Sequence, residues 1–386
     1  MATNTSIGSG AQNSVDKLDR LTGMLRVDPT NKPLYRQCAD LASALGRYET
    51  LAQLASDALA RHPGDAAAIF DKSTALIAAR DYRAALEFLA TLDPVSARDT
   101  AVRSNQGLCL YQLGEYEQAR PHLEDCYQQG VRSAGLLRLL VSTYHHLGLM
   151  DEAVSVAAEN ADAGSADAAL AGVYALLYLD ADEITHAARW AQTALNLNPK
   201  SIDGRVTQAT LLTLRVETER ARQMLESVVQ DAPSVGRAWI GLGALALLAQ
   251  DLKGAIGHLT RGLELMPGHV GSWHILGWAQ LLSQDLSAAQ RTFEHAMEMD
   301  RNFAESHGGL ASIAAIRGER GRAEQLIQVA LRLDADCLSA RFAQSVLASG
   351  AGDVNQARKL LDSAVGRLAG EDSSALGKLL TKTTRQ

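Results

Sequence analysis

Small and large apolar residues recur along this 386-residue chain with a period of 34, unbroken from about Lys32 to Glu371. One position in each block holds Leu51, then Ala85, Ala119, Ala153, Ala187, Ala221, Ala255, Ala289, Ala323 and Ala357. Twelve residues earlier stand Ala39, Ser73, Gly107, Val141, Ala175, Ala209, Gly243, Gly277, Ala311 and Ser345. Two helices approach closely only where neither carries a bulky side chain, so these paired small positions predict the crossing point of a helical hairpin. Gly46, Gly114, Gly148, Gly318 and Gly352 share a further position, where glycine admits the left-handed conformation that ends a helix and lets the chain reverse. Pro29, Pro63, Pro199, Pro233 and Pro267 share another, at the hand-over between blocks, where a helix cannot continue.

The block 236–269 carries Trp239, Leu242, Gly243, Ala255, Leu259 and Pro267 in order. Its successor repeats the theme with Trp273, Leu276, Gly277, Ala289, Phe293 and Ala296, and the third block reads Asn105, Gly107, Gly114, Tyr116, Ala119 and Leu123. This pattern resembles the tetratricopeptide repeat, and the resemblance covers about 340 of the 386 residues. It implies an all-α fold, a right-handed superhelical solenoid of antiparallel helix pairs, with ten repeats starting at 32, 66, 100, 134, 168, 202, 236, 270, 304 and 338 and ending at 371. The sequence departs from the pattern at Asn160, which replaces a late small residue, at the turns of the fifth and sixth blocks, which lack glycine, and at Pro121, inside a second helix.

Outside the repeats, residues 1–13 are rich in Ser, Thr, Gly and Asn and are expected to be a disordered tail. Val15, Leu18, Leu21 and Leu25 recur at helical spacing, so 14–31 reads as a capping helix, the second half of a repeat. The run 372–386 places Leu376, Leu379 and Leu380 on one side and is expected to be a C-terminal capping helix and tail.

Composition suits thin, alanine-rich helix layers: 47% of residues are hydrophobic but only 5% aromatic. A net charge of −7 supplies no general attraction to nucleic acid. The chain starts without a signal-peptide pattern, and the longest uncharged apolar stretch, 240–249, is about half of what a membrane span needs, so a soluble, cytoplasmic protein is expected. Its four cysteines form no CxxC pair. The adjacent His145 and His146 diverge on a helix and cannot share a metal as an i, i+4 pair could. Phosphate-binding and nucleophile motifs are missing, as are the strands that would hold them. No enzyme activity, cofactor or metal is therefore expected.

Function must then come from the groove. The resemblance implies that the second, fifth, ninth, twelfth and thirteenth residues of each first helix point into a concave face. In the first four blocks these positions are mixed and polar, with Tyr111, Arg138, Ser142 and His145 as a secondary polar groove. In blocks five to eight they are apolar: Leu176, Leu179, Val206, Thr210, Leu214, Ile240, Leu247, Leu248, His274, Trp278, Leu281 and Leu282. Contiguous large apolar side chains of this kind fit a site for the apolar peptide or helix of a partner protein, with Trp278 as an anchor. Trp239 and Trp273 are expected in the hairpin core.

The two-carboxylate clamp of related arrays is not expected, since Asn105 lacks the recurring Lys, Asn and Arg partners, and no asparagine ladder is present. The leading expectation is a non-catalytic adaptor or chaperone-like scaffold, bacterial in style. A self-associating structural scaffold is the alternative, and an enzyme accessory or RNA-binding subunit a remote third.

Overall fold

The computed structural model describes residues 6–368, which form 22 α-helices and no strand. Two compact units divide at Val173 and Tyr174. The first holds α1 (Ser6–Val27), α2 (Lys32–Ala44), α3 (Tyr48–Arg61), α4 (Ala66–Ala78), α5 (Tyr82–Ala90), α6 (Thr100–Gln112), α7 (Tyr116–Gln128), α8 (Ala134–His146), α9 (Met150–Glu159) and the short α10 (Ala161–Ala166). The division falls inside α11 (Ala168–Asp180). The second holds α12 (Ile184–Leu197), α13 (Ile202–Leu214), α14 (Thr218–Asp231), α15 (Gly236–Leu248), α16 (Leu252–Leu265), α17 (Val270–Leu282), α18 (Leu286–Met299), α19 (Ala304–Ile316), α20 (Arg320–Leu333), α21 (Leu338–Gly350) and α22 (Val354–Leu368). The chain is all-α and built of antiparallel helix pairs.

Each hairpin closes through the small residues of its first helix. A Cβ at Gly277 would lie 2.4 Å from Phe293, and one at Gly243 2.5 Å from Leu259. The bulky residue of the second helix thus fills the space that the small residue leaves, and Phe293 and Leu259 are fully buried. Burying a Phe or Leu side chain contributes about 1.5–3 kcal/mol. The first helices start with side-chain caps where the sequence offers them: Asn31, Asp65, Asp99, Ser133 and Ser201 each accept a bond from a first-turn amide.

The turn between the helices of a pair takes one geometry throughout. Gly46, Gly114, Gly148, Gly318 and Gly352 have φ between 65° and 85°, and so do their non-glycine equivalents within a few degrees: Arg80, Asp182, Val216, Gln250 and Gln284 lie at 59° to 66°. Hairpins without the glycine therefore keep the left-handed turn and bear its steric cost.

Three local departures have physical causes. Helix α1 begins at Ser6, within the segment expected from sequence as a disordered tail. Leu18 and Leu25 anchor its later turns in the core, and a helix once nucleated extends at little cost into a polar segment. Asn160 breaks the second helix of its hairpin: its backbone leaves the helical region at φ −117°, and its amide bonds the Tyr127 hydroxyl at 3.0 Å and the Val156 carbonyl at 2.8 Å. Pro121 sits inside an uninterrupted α7. The expected capping segment 372–386 lies outside the described residues.

Candidate functional site

In the second unit the apolar positions separate into core and surface. Val206 and Leu247 are 3% exposed and Leu281 is 6% exposed, so these three are corrected from groove to core. Val206 belongs to a cluster with Leu225 and Leu242, Leu247 to one with Leu259 and Leu276, and Leu281 to one with Phe293 and Leu310. The neighbouring hairpin covers these three, Val206 at a fifth position and Leu247 and Leu281 at twelfth positions. Leu176, Leu179, Thr210, Ile240, Leu248, His274, Trp278 and Leu282 are half-buried.

What remains most open is the thirteenth position, the final residue of each first helix. Leu214 ends α13 at 49% exposure and Ile316 ends α19 at 42%; between them Leu248 ends α15 and Leu282 ends α17, both half-buried. Four consecutive first helices thus finish in a large aliphatic side chain. Ile316 completes a row that the sequence reading stops short of at Leu282, and the period alone identifies it.

Trp278 is engaged inside the array. Its indole N–H is shared between His274 Nε2 at 3.0 Å and Ser339 Oγ at 3.1 Å, and its ring meets Phe342 edge-on at 5.2 Å. Ser339 and Phe342 belong to α21, two hairpins further on. They reach Trp278 because α19 lies face to face with α21: a Cβ at Gly308 would stand 2.6 Å from the Ala340 nitrogen and from Ser339 Cβ. Glu305 fastens this contact by accepting the Leu338 amide at 2.8 Å, the Ser339 amide at 3.2 Å and the Ser339 hydroxyl. Ser312 Oγ adds a bond to the Ser339 carbonyl at 3.1 Å. The expected role of Trp278 as a partner anchor gives way to an internal contact.

His274 sits within this network. Burial pushes its imidazole down to about 4, against the opposing pull of Glu305, whose Oε2 is 3.4 Å from Nε2. The ring is therefore neutral near pH 7, with Nε2 accepting from Trp278 and the buried Nδ1 without a partner. Next to it, burial and then Glu305 push the Cys337 thiol up to about 12, so it is not a nucleophile.

A second recurring device lies at the fourth position of the first helices. Trp239 and Trp273 donate their indole N–H to the carbonyls of Pro233 and Pro267, six residues back, at 2.9 and 2.8 Å. His307 Nε2 meets the Arg301 carbonyl at 2.9 Å, and Arg341 donates to the Ala335 carbonyl at 2.7 Å. Each side chain ties its helix to the preceding link. Across hairpin six, Arg237 at the start of α15 forms a paired bond with Asp180 at the end of α11.

In the first unit, Arg138, Ser142 and His145 follow one another at single-turn spacing along α8. Arg138 is exposed, whereas Ser142, His145 and Tyr111 are half-buried. The Tyr111 ring is 5.5 Å from Tyr116 and 5.9 Å from His146, and His146 stacks on Tyr116 at 4.2 Å. Near the other end, Asp71 is buried and bonded by the Tyr35 hydroxyl at 2.8 Å and by Arg36 at 3.1 Å. Burial raises the Asp71 carboxyl, and those two partners oppose the rise. A cavity of about 340 Å³, lined by Ala66, Phe70, Leu92 and Val102 among others, opens beside α4 and α6. Among the described residues no group of three or more His, Cys, Asp or Glu is placed to hold a metal ion. No described helix is long and apolar enough to cross a membrane.

Helix pairs repeating at a fixed interval, each closed by the same small-to-large contact and turned by the same left-handed residue, define a helical-repeat protein. Tetratricopeptide repeat families match residues 217–269 and 270–303. Residues 217–303 thus carry tetratricopeptide repeats, and the helix pairs on either side fit the same repeat. Its fold is similar to a chain in the crystal structure of the APC/C hetero-tetramer Cut9–Hcn1, with a TM-score of 0.52 at 14% identity, over 92% of this chain and 82% of that one. No curated protein matches the sequence.

Proposed function

We propose that this chain is a non-catalytic protein-interaction scaffold, and that the first-helix ends of its second unit bind an apolar helix or peptide of a partner protein. The observation that carries this reading is the row Leu214, Leu248, Leu282 and Ile316, aliphatic at four consecutive equivalent positions and partly open to water. A soluble surface seldom leaves such a row uncovered. Covering about 600 Å² of surface in all, counting the row, its surroundings and the partner's apolar stripe, would gain roughly 15 kcal/mol gross, most of it offset by lost freedom of both partners, which leaves micromolar affinity. The buried cysteines and the neutral, enclosed His274 add no reactive group to the face. Self-association is the second reading, favoured by Met24 and Val27, exposed at 61% and 88% near the end of α1.

Light-scattering mass across a concentration series separates the two. A constant monomer mass, together with saturable binding of a synthetic amphipathic helix that is lost in Leu214→Ser/Ile316→Ser, is the expected result. Mass that grows reversibly with concentration, with no peptide binding, would replace this reading with self-assembly.

A further inference from the structure

The charges beside the aliphatic row are unevenly satisfied. Every carboxylate at this end of hairpins six to nine has an ion-pair or a hydrogen-bond partner. Glu217 pairs with Arg220, and Glu219 with Arg222 at 4.0 Å. Asp251 caps α16 through the Gly254 amide at 2.9 Å, and Asp285 caps α18 through the Ala288 amide at 2.9 Å. Glu319 pairs with Arg322 at 3.2 Å, and Asp180 with Arg237.

The cations are different. Arg215 follows Leu214 directly and is exposed, and Lys253, in the first turn of α16, is exposed too; neither has a carboxylate partner among the described residues. Arg317 follows Ile316 and bonds only the neutral Gln290 side chain, at 2.6 Å. The row is therefore bordered by three positive charges without an ion-pair partner, against two exposed carboxylates, Asp251 and Asp285, that bond only backbone amides, which leaves a positive excess on a chain whose net charge is −7. The end-dipoles do not alter this balance, because the C-terminus of each first helix lies next to the N-terminus of its second.

From this complementarity we infer that the partner of this face is an amphipathic helix with an acidic flank: an apolar stripe on Leu214, Leu248, Leu282 and Ile316, and Glu or Asp beside it facing Arg215, Lys253 and Arg317. Length follows from the spacing. Packed helices lie about 8–10 Å apart, so four successive helix ends span roughly 25–30 Å, which a partner helix covers with about 17–20 residues at 1.5 Å each. The apolar stripe supplies affinity, while the charges select the partner and speed its encounter. This inference rests on the reading of the row as a protein-binding face.

The test uses the full chain and two synthetic 20-residue helices with the same leucine stripe, one flanked by Glu and one by Lys, in fluorescence anisotropy at about 0.1 M salt, where the screening length is about 10 Å. The Glu-flanked peptide is expected to bind about tenfold more tightly than the Lys-flanked one, with the preference mostly lost in Arg215→Glu/Lys253→Glu and at about 1 M salt. Equal binding of the two peptides, lost in Leu214→Ser/Ile316→Ser, would overturn the acidic partner and leave the apolar face standing. Tighter binding of the Lys-flanked peptide would overturn it as well. Binding of neither peptide would remove the face itself. Unchanged far-ultraviolet circular dichroism of both double variants keeps these outcomes separate from misfolding.

Discussion

Val216 holds φ at 64°, a conformation that costs a residue with a Cβ about 1–2 kcal/mol and a β-branched one most. Glycine would remove that cost and return part of it as lost chain entropy, about 0.5–1 kcal/mol. Val216→Gly is therefore expected to stabilise the protein by about 0.5–1 kcal/mol, seen as a higher urea midpoint, and Gly148→Val, at φ 72°, to do the reverse. A neutral or destabilising Val216→Gly would mean that its surroundings favour the valine.

His274 gives the pH dependence. Its folded pKa lies below its ordinary value of 6.5, so between pH 6.5 and about 4 the unfolded chain takes up a proton that the folded chain refuses. Stability from this group is complete above 6.5 and falls as the pH drops through that window, by about 2 kcal/mol at pH 5. Denaturation midpoints at pH 7 and pH 5 measure it. His274→Gln should shrink the difference, and a difference that persists undiminished would place the titration elsewhere. Not all of this was visible in the sequence. The turn position was legible from five glycines, and the period of 34 places Val216 at it, but nothing in a residue's identity records a φ that its neighbours impose.

At the scale of elements, the contact that the periodic pattern does not announce is α21 lying against α19. Every hairpin carries small residues in its first helix, so Gly308 and Gly309 look like further instances of the rule. Gly308 in fact admits the backbone of α21, and Glu305 caps that helix. Trp278 was singled out from sequence for its unusual place in its helix, and the structure answers with Phe342 and Ser339.

Two outcomes follow for this element. Glu305→Ala should cost about 2 kcal/mol, by analogy with a lost cap and hydrogen bonds to a charged group, and should raise amide exchange in α21 and α22 more than in α13 to α16. Trp278→Ala should show the same local pattern. Uniform protection in either variant would show that the last hairpin does not depend on this latch. The hairpins themselves were legible because each closes on its own residues, as Gly277 on Phe293 does, and needs no distant partner to be read.

For the whole molecule, helical repeats add stability through neighbours, and interactions with other proteins fall to whatever faces the stacking leaves open. Part of the face expected from sequence is spent on the array itself, in Val206, Leu247, Leu281 and Trp278. The period could not reveal this, since burial at the fifth and twelfth positions depends on how closely each hairpin approaches the next. The open row at the helix ends carries the functional account. Hydrogen exchange of the full chain, with and without the Glu-flanked helix, tests it most directly. The account predicts new protection in the last turns of α13, α15, α17 and α19 and the turns that follow them. Protection confined to α8, around Arg138 and His145, or none despite binding, would contradict it.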